Sequence, residues 1–188
     1  PARSSPRFAQ SNVVLAGRAR VYLQEPRFYY FPSLPQTPFH DRAAFPWAGA
    51  IEAAYPAARA ELEALLAEGA PFTPYVERPK DRPVTADQGL ADSLDWSAFF
   101  LWKAGALVPE HAARCPRTVE AASALPLYAV PGRTPNVLFS RLTPGAHIPP
   151  HTGVVNTRLI CHLPLIVPEG CGFRVGAETR PWREGELL

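Results

Sequence analysis

Twenty-three prolines in 188 residues, running from Pro1 to Pro181 without a repeat, limit this chain more than any other feature. Each proline fixes φ at about −65° and removes a backbone donor, which confines helices to the gaps and keeps proline out of sheet centres. The spacing therefore predicts a loop-rich, mainly β domain with flanking helices. A hydrophobic share of 47% against 19% charged residues gives that domain a core and argues against disorder. A length of 188 residues suits one such domain.

Charge and cysteine usage then remove several functions. The net charge of +2, with signs interspersed, leaves no basic footprint for nucleic acid. No apolar run approaches the roughly 18 residues of a membrane span, and no charged-then-apolar leader opens the chain. Cys115, Cys161 and Cys171 are odd in number and form no C-x-x-C pair, so neither a disulfide framework nor a zinc cluster is expected. A reducing, cytoplasmic setting follows as the expectation. The chain opens on Pro1 without a methionine, and a missing upstream segment is expected.

Residues 1–41 read as an N-terminal arm, with a short helix expected over 12–22. Its stretch RFYYFPSLPQTPFHD puts Phe28, Tyr29, Tyr30 and Phe31 in a row, too many rings to leave in water. Packing on a barrel or a preceding domain is the plain reading; peptide binding is the rival. Residues 42–188 form the main domain. Its clearest helix spans 47–68: Pro56 suits a first turn, Leu62, Leu65 and Leu66 share a face, Arg59 and Glu63 pair at i, i+4, and Gly69 closes it. Residues 71–92 form a proline-rich loop long enough for a substrate-side lid. Strands follow at 95–104 and 136–142, with a helix over 118–124 between them. Ser140 shares a face with Leu138 and Leu142, a polar atom among aliphatics that needs a partner. Cys115 is expected to be structural, His111 and His147 are expected to be loop or surface residues, and His40 offers no specific signal.

The stretch after Thr143, PGAHIPPHTGVVNTRLICHLPLIVPEGCGFRV, concentrates the chemistry. Alternation over 157–163 predicts a strand with Thr157, Leu159, Cys161 and Leu163 on one face and Arg158, Ile160 and His162 on the other. A polar inward face lines a ligand cavity in a barrel. A turn is expected at Gly170 and Gly172, a strand at 173–175, and a hairpin over 177–186 with Trp182 near its tip. His151 precedes Thr152 and Gly153. Mononuclear iron oxygenases draw one histidine and a carboxylate from an H-x-D or H-x-E step, and here glycine holds the carboxylate position.

The runs PGAHIPPHTGVVNTRL and HLPLIVPEGCGFRVGAETRPWREGE resemble the aspartyl/asparaginyl β-hydroxylase family of iron(II)- and 2-oxoglutarate-dependent dioxygenases. LDWSAFFLWKAG, CPRTVEAASALP and NVLFSRLTPG are similar to the same family in the same order. That family uses an H-x-G step, so the absent carboxylate belongs to the resemblance. What the resemblance implies is a double-stranded β-helix, a jelly-roll or cupin-like barrel, that uses Fe(II), 2-oxoglutarate and dioxygen. It matches His151 to an iron ligand. Ser140, Trp96 and His162 match residues around the cosubstrate, with Ser140 at its distal carboxylate. Ile160 stands where animal members carry an arginine, while Arg158 remains as a candidate for binding substrate, with the cosubstrate as the competing assignment.

Family members continue into a strand with a second iron-binding histidine and then an arginine for the cosubstrate. This sequence stops at Leu188, so a C-terminally truncated piece, lacking its last barrel strands, is expected. Bacterial members often carry helical repeats upstream, which would supply a partner for the arm. The implied reaction hydroxylates the β-carbon of Asp or Asn side chains in a peptide or protein. The alternatives are the same chemistry on a small molecule or lipid acyl chain, and a non-catalytic barrel that binds a ligand or partner.

Overall fold

The computed structural model describes residues 5–78 and 90–188. Half of the lid expected over 71–92, residues 79–89, lies outside them, and the described part is not all loop, since Thr73–Pro74 forms a short strand. By its contacts the chain divides into two compact units, Pro46–Pro150 and a second assembled from Pro1–Phe45 and His151–Leu188.

The first unit is a four-stranded antiparallel sheet against helices. Strand β2 (Trp96–Lys103) is its spine, pairing with β1 (Thr73–Pro74) and β3 (Ala106–Leu107) on one edge and with β4 (Val137–Leu142) on the other. Alternation sets most of its burial, although Ala98 on the opposite face is enclosed as well. Ser97, Phe99 and Leu101 point to the helical side and are almost wholly enclosed, and Phe139, opposite Phe99 in β4, joins them. The β2–β3 turn is tight, with Ala104 and Gly105 both at positive φ, 53° and 86°, as a two-residue turn with two left-handed positions demands.

Helices α2 (Ala48–Ala53) and α3 (Tyr55–Ala67) replace the single helix expected over 47–68, because the backbone tightens at Ala54, whose N–H bonds Ile51 three residues back. Pro56 does sit in the first turn of α3, and Arg59 meets Glu63 at 2.8 Å. At the far end Ala70 N–H reaches Leu65 O and Gly69 N–H reaches Leu66 O, with Gly69 at φ +66°. That double closure is a Schellman motif, and only a residue at ease in the left-handed region makes it cheaply. Of the leucine stripe, Leu65 is buried while Leu66 faces outward. Helix α4 (Pro109–Ala112) lies on β2, and α5 (Pro116–Ser123) packs on α3.

Cys115 stands at the N-cap of α5, fully buried, its thiol pushed up to about 11 by burial first and by the charge of Glu61 second, with Arg114 opposing. A thiol is a poor cap, and the cap comes from α3 instead. Glu61 accepts the Arg117 N–H at 2.7 Å, the Thr118 N–H at 2.9 Å and the Thr118 hydroxyl at 2.6 Å. One carboxylate thus satisfies two orphan amides at a helix N-terminus, where negative charge is favoured.

In the second unit, α1 (Pro6–Leu15) lies upstream of the expected 12–22 helix. Ser5 caps it by accepting the Phe8 N–H, and Gly17 at φ +68° follows its end. Strands β5 (Gly172–Val175) and β6 (Glu178–Pro181) form a hairpin with Gly176 at φ +59° in its two-residue turn. This corrects the hairpin expected at 177–186: the tip is Gly176 and Ala177, and Trp182 follows the second strand. The strand expected over 157–163 does not form. His162 exchanges two backbone hydrogen bonds with Leu188, and Gly185 N–H bonds Pro164 O, but no continuous ladder runs beside the segment. Alternation marks a chain that suits a sheet; a strand also needs partners along its length. For the same reason the described residues form antiparallel sheets with helices and no closed barrel.

Candidate functional site

Trp96 and Ser140 come together by register. In the β2–β4 ladder Trp96 faces Leu142 and Ala98 faces Ser140, so Trp96 and Ser140 are diagonal neighbours on one face. A diagonal of about 7–8 Å is within reach of an indole, and Trp96 Nε1 donates to Ser140 Oγ at 3.1 Å. Tyr75, just past β1, stacks on the other side of Trp96 with ring centroids 4.2 Å apart. An indole N–H only donates, so Ser140 Oγ is the acceptor and keeps its own hydrogen for another acceptor. A serine held this way is set to bind an anion or a carbonyl.

His151, Arg158 and His162 belong to the other unit. His151 and Arg158 are exposed. Arg158 lines a recess of about 160 Å³ between the arm and residues 156–159. His162 sits in an aromatic cluster, edge-on to Phe173 at 5.2 Å and to Trp182 at 5.4 Å, with Phe39 beyond Phe173 at 6.0 Å. Burial lowers its pKa below the ordinary 6.5, because a charged imidazole there loses water without gaining a counter-ion.

The arm is fastened to the segment that carries His151. Arg27 N–H bonds Gly153 O, and the N–H groups of Phe28 and Tyr29 both reach Val154 O. Asn156 completes the seam, accepting the Phe31 N–H at 2.7 Å and donating to Phe31 O at 2.8 Å. The sequence signal for this was weak: an asparagine three residues past an H-x-G step resembles any turn residue. The aromatic row that burial arguments would hide stays open here, with Phe28 79% exposed. The loop or surface place expected for His111 is corrected: it lies in α4, its ring stacked on the buried Phe99 at 3.9 Å and its Nδ1 2.7 Å from Phe100 O, because the helix lays it on β2.

Iron of the implied kind needs several converging donors. Among the described residues no group of three His, Cys, Asp or Glu converges. His151 is a single donor, so these residues alone do not make a metal site. No helix among them is long and apolar enough to cross a membrane.

Comparison with known proteins supplies the class. The family model described as "Aspartyl/Asparaginyl beta-hydroxylase" matches residues 52–188. The chain is 35% identical over 162 residues to the ornithine lipid ester-linked acyl 2-hydroxylase of Rhizobium tropici, covering 84% of this chain and 53% of that protein. It is 30% identical over 171 residues to human aspartate beta-hydroxylase domain-containing protein 2, covering 90% and 44%. With human aspartyl/asparaginyl beta-hydroxylase the identity is 37% over 103 residues, covering 54% and 14%. The chain spans about half the length of the first two relatives and a smaller part of the third. These matches define a family whose relatives are named as hydroxylases. The chain belongs to the aspartyl/asparaginyl β-hydroxylase family.

Proposed function

We propose that the protein is an iron(II)- and 2-oxoglutarate-dependent hydroxylase acting on the β-carbon of Asp or Asn side chains in a peptide or protein, within a jelly-roll barrel that this chain contributes to. The observation that carries the cosubstrate half of this reading is the Trp96–Ser140 pair: the indole fixes the serine oxygen and leaves its hydroxyl to donate to the distal carboxylate of 2-oxoglutarate. His151 is one ligand to the metal and needs further donors beyond the described residues. Iron, 2-oxoglutarate and dioxygen would supply the oxidising chemistry. The chain's own part is to hold a carboxylate at Ser140, keep Trp96 between that site and Tyr75, and orient the substrate. His162, in its aromatic surroundings, acts as a neutral wall.

A lipid acyl chain is the second reading, favoured by the Rhizobium tropici relative, whose match covers 84% of this chain, and by the exposed apolar side chain of Ile160. The test uses the full-length protein. Removal of iron by a chelator, and His151→Ala, are each expected to abolish 2-oxoglutarate turnover; turnover that survives both sinks the oxygenase reading. Stimulation of turnover by Asp-containing peptides and not by a lipid selects the peptide substrate, and the reverse selects the acyl chain.

A further inference from the structure

Charge is divided unevenly along the chain. Residues 1–40 hold five of the nineteen lysines and arginines but one of the seventeen acids, so the arm carries +4 while the rest nets −2. Arg7, Arg18, Arg20 and Arg27 are all exposed, and none of them forms an ion pair among the described residues. Elsewhere the pattern is different: Arg59, Arg114, Arg117, Arg180 and Arg183 each meet a glutamate. The arm's cations are therefore left for an external anion.

The arm also keeps its apolar side chains outside. Phe28 is 79% exposed, Tyr29 and Tyr30 50% each and Phe31 46%, and Val21, Tyr22 and Leu23 are open just upstream. Folded chains rarely leave such a run in water unless something covers it. The row is nevertheless no loose tail. The N–H groups of Arg27, Phe28, Tyr29 and Phe31 are bonded to the 153–156 segment, and the Gln24 N–H is tied to Gln36. Val154, whose carbonyl takes two of those bonds, is itself exposed and extends the apolar surface.

The bonded amides decide which surface fits. Leaving water strands an unpaired backbone donor at a cost of several kcal/mol, and four of the five amides from Arg27 to Phe31 are already taken within the protein. Rings on such a backbone enter a headgroup layer cheaply, with the tyrosine hydroxyls kept in its polar part. Arginines beside them are drawn to anionic lipid. Nucleic acid suits the arm less well, since Val21, Leu23 and Val154 offer no ring for a base to stack on.

We propose that the arm is a peripheral docking surface for a membrane that contains anionic lipid, with the side chains of Phe28 to Phe31 in the headgroup layer and Arg18, Arg20 and Arg27 at the phosphates. This contact needs no spanning helix. It goes beyond the hydroxylase reading and holds for either substrate.

The experiment is co-sedimentation of the full-length protein with vesicles of phosphatidylcholine, and with vesicles in which phosphatidylglycerol replaces part of it. The protein is expected to follow the second kind and not the first, and to be released by salt. Phe28→Ser combined with Tyr30→Ser should weaken partitioning at least about tenfold, and Arg18→Gln combined with Arg20→Gln roughly twentyfold. Arg117→Gln, a loss of charge in the other unit, should change nothing, and unchanged melting curves show the variants folded. A wild type that ignores phosphatidylglycerol overturns the proposal, as does full binding by both arm variants or an equal loss in Arg117→Gln. A dimer that Phe28→Ser with Tyr30→Ser dissolves, without vesicle binding, would give the patch to a second copy of the chain. Binding to a single-stranded oligonucleotide in place of vesicles would give it to nucleic acid, and either result overturns the membrane assignment.

Discussion

Trp96 Nε1 lies 3.1 Å from Ser140 Oγ, a bond that spans two strands and forty-four positions of sequence. It exists because the ladder sets Ala98 opposite Ser140 and Trp96 two residues along. A one-residue slip would send every second side chain to the other face and break it.

In the proposed site this bond would make Trp96 a positioning residue that acts through the serine. Ser140→Ala in the full-length protein is expected to weaken 2-oxoglutarate by about 1 kcal/mol, roughly fivefold. Trp96→Phe keeps an aromatic and frees the hydroxyl to rotate, so it should cost less. The double variant should be no weaker than Ser140→Ala alone, since the indole has nothing left to orient. Additive losses in this cycle would mean that the two residues touch the cosubstrate independently.

Glu61 carries a second prediction, one of stability. It caps α5 from α3 through the Arg117 and Thr118 amides and the Thr118 hydroxyl. Glu61→Ala strands those donors and is expected to destabilise the fold by about 1–3 kcal/mol in urea. Glu61→Gln keeps an acceptor and loses the charge that suits a helix N-terminus, for a smaller loss of about 0.3–1 kcal/mol. An unchanged midpoint for Glu61→Ala would show that water replaces the carboxylate at no cost.

What the sequence disclosed and what it hid follow one line. Local rules worked where a single element decides the outcome: Pro56 and Gly69 bracket α3, Arg59 reaches Glu63, and Cys115 is buried and inert. Strands β2 and β4 were legible because their aromatic and aliphatic runs are long. The 157–163 strand was legible as a pattern and failed as an element, since alternation says nothing about whether a neighbour is there to pair. The Glu61 cap and the Asn156 clamp each join residues more than fifty positions apart. No local rule reaches them. The roles given to His151, Ser140, Trp96, Arg158 and His162 came from family resemblance and remain proposals, while the register independently joined two of them.

His162 gives a prediction in pH. Its folded pKa lies below the ordinary 6.5 because burial disfavours the charged ring. Above 6.5 both folded and unfolded chains hold it neutral, and its contribution is complete. As pH falls through 6.5 the unfolded chain takes up the proton first, so stability declines until the folded pKa is passed. Denaturant midpoints are therefore expected to fall on acidification from pH 7, and His162→Phe, which keeps a ring against Phe173 and Trp182, should flatten that slope. An equal slope in the variant would assign the acid sensitivity to other groups.

Two glycines make the last prediction, because the structure asks different things of them. Gly105 sits at φ +86°, and an added Cβ would fall 2.6 Å from Thr134 O and 3.1 Å from Val130 O, both backbone atoms that cannot swing away. Gly105→Ala is expected to cost at least about 2 kcal/mol, a fall in Tm of roughly 4–8 °C. Gly153 is the glycine of the H-x-G step, yet its φ is outside the left-handed region and the nearest atom to an added Cβ is Val155 O at an ordinary 3.5 Å. Gly153→Ala should therefore leave stability within about 0.5 kcal/mol. Paired melting curves check both. A stable Gly153→Ala with reduced turnover would assign that glycine to the space beside His151, while a collapse as large as that of Gly105→Ala would make it a folding requirement that the backbone does not reveal.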